Sequence, residues 1–168
     1  MSPTGAHAMR TAAGFTLIEV IMVVAILAIL ATVAAPEMRL FMASQVVKAP
    51  ASDLYSSLVL ARSEAIKRNA AIDLVPAATT DWAQGWQVRV QSGGTVLRAQ
   101  DSYPRIAITP STSGTVTYGG NGRLSTSATT FRVLVPGSPD ARMRCVTVDV
   151  TGRPNVRVDR NTDQTACD

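Results

Sequence analysis

Residues 15–35 are almost uniformly apolar, a run of about 21 positions and long enough to cross a bilayer core as a helix. One carboxylate, Glu19, interrupts it. An ionised side chain deep in a bilayer costs roughly 3 kcal/mol or more unless it is paired. The run therefore predicts an assembly device as well as an anchor; the plain alternative is an anchor with an incidental Glu. Beyond it the sequence stays helix-compatible. Pro36 should kink the helix, because proline removes one backbone hydrogen bond and crowds the preceding turn. Pro50 should mark a second kink or break, with Ser52 or Asp53 capping the restart. Leu54, Leu58, Ala61 and Ala65 then recur at spacings of four, three and four, a single apolar stripe. Arg62, Glu64, Lys67 and Arg68 fall largely on the other faces, and the helix should end near Asn69. If nearly continuous from Phe15, it would be on the order of 80 Å long at 1.5 Å per residue.

After Asn69 the period changes to two. Ile72 and Leu74, then Trp86, Val88 and Val90, alternate with polar positions as half-buried strands do. Ser92-Gly93-Gly94 predicts a hairpin turn into residues 95–99. Residues 106–109, 116–118 and 131–135 are further strand candidates, separated by the turn Gly119-Gly120-Asn121-Gly122 and the loop Pro136-Gly137-Ser138-Pro139. Val146, Val148 and Val150 make the clearest alternation, and Thr151-Gly152 turns the chain into residues 154–158. Trp82 and Trp86 read as core or sheet-cover residues, the alternative being the lining of a ligand groove, and Tyr55 reads as core. No internal repeat is present.

The chain has 168 residues, enough for one domain with a real core once the apolar run is set aside. Outside that run it is rich in Thr, Ser, Gly and Val, which suits a β-rich extracytoplasmic domain. The formal net charge of +4, carried almost wholly by Arg, is too moderate to imply nucleic acid by itself. Either Met1 or Met9 can serve as the start. In both cases Arg10 holds the segment before the run on the cytoplasmic side and sends the remainder across. Cys145 and Cys167 fit that orientation, since two cysteines in an exported domain usually pair. A bridge would close a loop of about 23 residues and contribute roughly 3 kcal/mol. The alternative is two free thiols. The single His is His7, ahead of the run, so no metal site and no Ser–His or Cys–His nucleophile pair is expected in the rest of the chain. The Gly119–Gly122 run lacks the spacing and the Lys of a phosphate loop. No cofactor, small-molecule substrate or enzymatic activity is expected.

Gly14, five residues before Glu19, is a small residue suited to cutting. A cut after it would leave Phe15 with a free α-amine about one helical turn from Glu19. The segment Gly14-Phe15-Thr16-Leu17-Ile18-Glu19-Val20 resembles the cleavage and assembly motif of type IV pilins and type II secretion pseudopilins. A signal peptide normally has its cleavage site after the apolar segment, not before it. The resemblance implies a prepilin peptidase that cuts after Gly14 and methylates Phe15. It implies Glu19 as the assembly carboxylate, paired with the Phe15 amine of an adjoining subunit. Ile18, Val20, Val24, Leu27 and Leu30 would pack helix against helix. Further on, Ala61-Arg62-Ser63-Glu64-Ala65-Ile66-Lys67-Arg68-Asn69, Trp82…Gly85-Trp86-Gln87-Val88 and Val148-Asp149-Val150-Thr151-Gly152-Arg153 are similar to H-type pseudopilins and related fimbrial minor pilins, the GspH/FimT family.

That similarity implies an α+β, pilin-like fold: a long N-terminal transmembrane and assembly helix packed on an antiparallel β-sheet head. The implied division is a leader at 1–14, a transmembrane and assembly helix at 15–35, its packed continuation at 36–69 and a periplasmic head at 70–168. The implied partners are the prepilin peptidase, other pilin or pseudopilin subunits and inner-membrane lipid. The implied role is a subunit at or near the tip of a pilus or pseudopilus. The alternative function is that of a pilus-borne DNA-binding subunit for DNA uptake. Arg142, Arg144, Arg153, Arg157 and Arg160 cluster near the C-terminus, and arginine's planar fork suits phosphate. Some minor pilins of this family bind DNA through Gly-Arg-x-Arg. Here the run is Gly152-Arg153-Pro154-Asn155-Val156-Arg157, with the second Arg two positions later. As a strand it would project Arg153, Asn155 and Arg157 from one face. The plain alternative is a tight turn at Gly152 with solvated arginines.

Overall fold

The computed structural model describes residues 15–112, 114–138, 142–160 and 164–167. The chain divides into two units, the first ending at Met38 and the second running from Arg39 onward. Helix α1, Leu17–Val46, supplies the apolar part of the first unit. Its stretch Leu17–Ala34 is long and apolar enough to cross a membrane, and none of it is buried.

The second unit begins with the end of α1 and continues into α2, Lys48–Arg68. The interruption falls at Val47, neither at Pro36, which α1 runs through, nor at Pro50 itself. Pro50 still supplies the reason. It has no N–H to give to the carbonyl four residues back, that of Val46, where α1 ends. In the first turn of α2 the same missing donor costs little. Ser52 and Asp53 therefore lie inside α2 and do not cap it; Val47 precedes the helix with no side-chain cap bond. At the other end Asn69 adopts the left-handed conformation (φ 48°), and Ala70 N–H bonds Ala65 O while Asn69 N–H bonds Ile66 O. This crossed pair is how a helix satisfies its last carbonyls.

Eight strands follow among the described residues: β1 Ile72–Ala78, β2 Asp81–Val90, β3 Val96–Gln100, β4 Ala107–Pro110, β5 Val116–Tyr118, β6 Thr129–Leu134, β7 Arg144–Val148 and β8 Pro154–Val158. They form two antiparallel four-stranded sheets, ordered β3-β2-β1-β5 and β4-β6-β7-β8. The expected stripe Leu54, Leu58, Ala61 and Ala65 is fully buried between α2 and the sheets. Trp82, in the first half of β2, meets Phe131 of β6 edge to face at 4.8 Å and so joins the two sheets. Trp86 stacks on Tyr103 and donates its indole N–H to Ser57 Oγ at 2.9 Å. Ser57 in turn donates to the Asp53 carbonyl, and the Tyr103 hydroxyl donates to Asp53 Oδ2. Asp53 thus ties α2 to the sheets. Tyr55 does not belong to the core: it is 38% exposed. One position beyond Leu54, it points about 100° away from the buried stripe.

Cys145 and Cys167 are bridged, with Cα atoms 6.0 Å apart. The bridge fastens the C-terminal segment to the outer face of β7. Arg132 on neighbouring β6 adds hydrogen bonds to the carbonyls of Gln164 and Thr165. Replacing both cysteines with serine should lower stability by roughly 3 kcal/mol, the entropy of a loop of this size. Denaturant unfolding of wild type with and without reductant measures it, and reduction should have no further effect on the double variant.

Tyr118 behaves differently. It is fully buried, its hydroxyl has no hydrogen-bond partner among the described residues, and burial pushes its phenol well above the ordinary tyrosine range. A buried hydroxyl without a partner carries a desolvation penalty of about 1–3 kcal/mol. Tyr118→Phe should therefore leave the melting temperature unchanged or raise it. A fall of several degrees would mean that the hydroxyl is satisfied.

Candidate assembly helix and basic surface

Phe15 stands just before α1, and Glu19 is that helix's third residue; both are exposed. Thr16 sits at the cap position, and its Oγ1 accepts the Glu19 N–H at 3.3 Å. Hydrophobic patterning does not single out Thr16. The Thr-x-x-Glu spacing of a capping box is the signal that finds it. A carboxylate in the first turn also lies at the positive end of the helix dipole. Phe15, Glu19, Val20, Val23 and Val24 line a shallow groove along this face. The expected packing residues Ile18, Val20, Val24, Leu27 and Leu30 are all exposed. Its Leu17–Ala34 stretch thus presents a continuous apolar surface with one carboxylate at its start. Gly14 lies outside the described residues.

The five C-terminal arginines do not form one patch. Register decides this. Cys145 pairs with Arg157 and Arg144 with Val158, so Arg157 shares the outer face of its sheet with the disulfide. Arg144 lies on the face of β7 that carries buried Val146 and Val148. Arg142, Arg157 and Arg160 are exposed and line one cleft with Val158. Arg153 lies apart, beside a shallow polar groove that includes Thr130, Thr147, Asp149 and Asn155. Its backbone N–H bonds Asp149 Oδ1 at 3.2 Å. The Thr151 hydroxyl, and then that N–H, hold the Asp149 carboxyl below the usual carboxylate range. Asn155 and Arg157 do project from one side of β8, with half-buried Val156 on the other, as alternation requires. The turn before them follows from Gly152, whose φ is +77°. No group of three or more His, Cys, Asp or Glu side chains converges into a metal cage among the described residues.

Comparison with known proteins adds to this geometry. The family model described as type II transport protein GspH matches residues 51–152, and the prokaryotic N-terminal methylation motif matches residues 9–35. The type IV minor pilin FimU of Pseudomonas aeruginosa (strain PAO1) is 23% identical. It superimposes with a TM-score of 0.59 over 69% of this chain and 94% of its own. A second crystal form of FimU gives the same score, with 68% and 98% covered. The minor pseudopilin EpsH of the Vibrio cholerae type 2 secretion system is 13% identical, with a TM-score of 0.51 over 67% of this chain and 94% of its own. At these identities the likeness is one of fold. Comparison with curated protein sequences gives no match. The family match over more than half of the chain, with the methylation motif on its apolar helix, makes this protein a member of the GspH family of minor pilins and pseudopilins.

Proposed function

We propose that this chain is a structural subunit at or near the tip of a type II secretion pseudopilus or a type IV pilus, where it serves filament assembly and protein secretion. The observation that carries this reading is α1: an exposed apolar face with a single carboxylate in its first turn, capped by Thr16. Such a face is unstable in water and finds its partners in lipid or in other helices of its kind. In this reading prepilin peptidase removes residues 1–14 by cutting after Gly14 and methylates Phe15. Residues 15–35 anchor the chain in the bacterial inner membrane, residues 36–69 carry it into the head, and residues 70–168 form a periplasmic head. Glu19 neutralises the Phe15 amine of a neighbour as the helix leaves lipid for the filament. A clean deletion strain tests this reading, scored for exported enzymes in the medium and for surface pili. Lost secretion with normal pili assigns the chain to the secretion pseudopilus. Lost pili or twitching with normal secretion assigns it to the type IV pilus. A strain normal in both overturns the reading.

A second reading is a pilus-borne DNA receptor for natural transformation. The cleft shared by Arg142, Arg157 and Arg160 favours it, because three arginine side chains with no carboxylate ion pair among the described residues can track a phosphate backbone. The detergent-solubilised chain should then shift DNA mobility, with affinity falling steeply as salt rises. Arg142→Ala with Arg157→Ala should weaken binding more than Arg153→Ala alone. Binding untouched by the double change removes this surface from consideration.

A further inference from the structure

The arginine that leaves the cluster points to a different site. Arg144 is half-buried on the inner face of β7 and emerges beside the first turns of α2. There it lines a groove of about 350 Å³ with Lys48, Ser52, Tyr55, Pro154, Asn155 and Val156. Among the described residues the ion pairs join only Glu64 to Lys67 and Arg68, so neither cation of this groove has a carboxylate beside it. Asp53, the acid nearest along α2, already accepts the Tyr103 hydroxyl.

We propose that this groove receives an acidic side chain of an adjoining filament subunit, a proposal that rests on the filament-subunit reading above. A guanidinium fork and an ammonium can both donate to one carboxylate, and their two positive charges attract an anion to the groove. The Ser52 and Tyr55 hydroxyls in the lining add neutral groups able to donate. A half-buried guanidinium such as that of Arg144, without a counter-charge, raises the energy of the free chain and favours whatever supplies the anion. The neighbouring surface is apolar: Tyr55 and Val59, one turn apart, are both exposed on α2. Apolar area beside a charged anchor is the composition of a protein interface, where complementary charge sets register and suppresses wrong partners.

Carbodiimide treatment of filaments holding the full-length chain tests the proposal, since it joins a lysine amine only to a carboxylate in contact with it. The expected product links Lys48 to an Asp or Glu of a different subunit, mapped by mass spectrometry. Lys48→Arg should keep incorporation and lose the link. Lys48→Glu combined with Arg144→Glu should lower incorporation about tenfold, the scale of like charges placed opposite each other in an interface. Lys48→Glu alone, at an exposed position, should lower it in the same direction without loss of protease resistance. The proposal needs both the link and the loss. Filaments that contain the chain but show neither overturn it and leave the subunit reading standing. A loss of bound anionic phospholipid on charge reversal, with normal incorporation, also overturns it and assigns the groove to lipid. A chain absent from all filaments overturns both.

Discussion

Replacing Glu19 with alanine is expected to leave the chain in the membrane and take it out of the filament. The change removes the only charge within Leu17–Ala34, so insertion becomes more favourable by roughly 3 kcal/mol. In the filament proposed above, the same change would leave the α-amine of a neighbouring Phe15 without a counter-charge among apolar side chains. Removing one member of a buried pair costs about 3–5 kcal/mol, because the remaining charge stays desolvated. Incorporation should therefore fall by at least about tenfold, read by immunoblot of sheared filaments against membranes. Thr16→Ala is the useful contrast. It deletes the bond to the Glu19 N–H and retains the carboxylate, so it should cost only about 1 kcal/mol of helix capping. Normal incorporation of Glu19→Ala would sink the pairing.

Gly152→Ala should give a large loss of stability in the head. Gly152 has φ +77°, and a Cβ there would stand 2.3 Å from the Gly122 carbonyl oxygen and 3.0 Å from the Tyr118 ring. The carbonyl has little room to retreat. Gly122 N–H is bonded to Gly119 O, and Leu124 N–H to Val150 O, so the glycine turn and the 149–153 turn hold each other. Left-handed backbone alone costs an alanine about 1 kcal/mol, and the backbone clash adds to it. A loss of 3 kcal/mol or more is expected, lowering the melting temperature by about 10 °C. Gly137→Ala separates the two effects. Its φ is +75° but nothing lies within 4 Å of its added methyl, so it should lose only the conformational part. Equal losses at the two positions would show that the contact between the turns does not matter.

Local pattern was enough to read most of this fold. The stripe through Leu54, Leu58, Ala61 and Ala65, the alternation of Trp86, Val88 and Val90, and the Ser92-Gly93-Gly94 turn all appear where periodicity places them. Each feature reports which side chains avoid water, and that preference is written in consecutive residues. Glu19 was legible for the same reason, as one charge in an apolar run. The break at Val47 is a subtler local effect, since the proline responsible acts four residues upstream of itself.

The division of the arginines was not legible. Arg142, Arg144, Arg153 and Arg157 are close in sequence, yet Arg144 and Arg157 fall on opposite faces of one sheet. A pairing register one residue different would exchange those faces. The sequence by itself determined the apolar helix with its single carboxylate, the α+β order of elements and the residues that make the core, because hydrophobic periodicity is local. Only the tertiary structure decided that Arg144 leaves the basic surface for the α2 groove, that Tyr55 faces out and that Gly152 meets Gly122. Those facts depend on which distant segments touch, and packing settles that across the whole head.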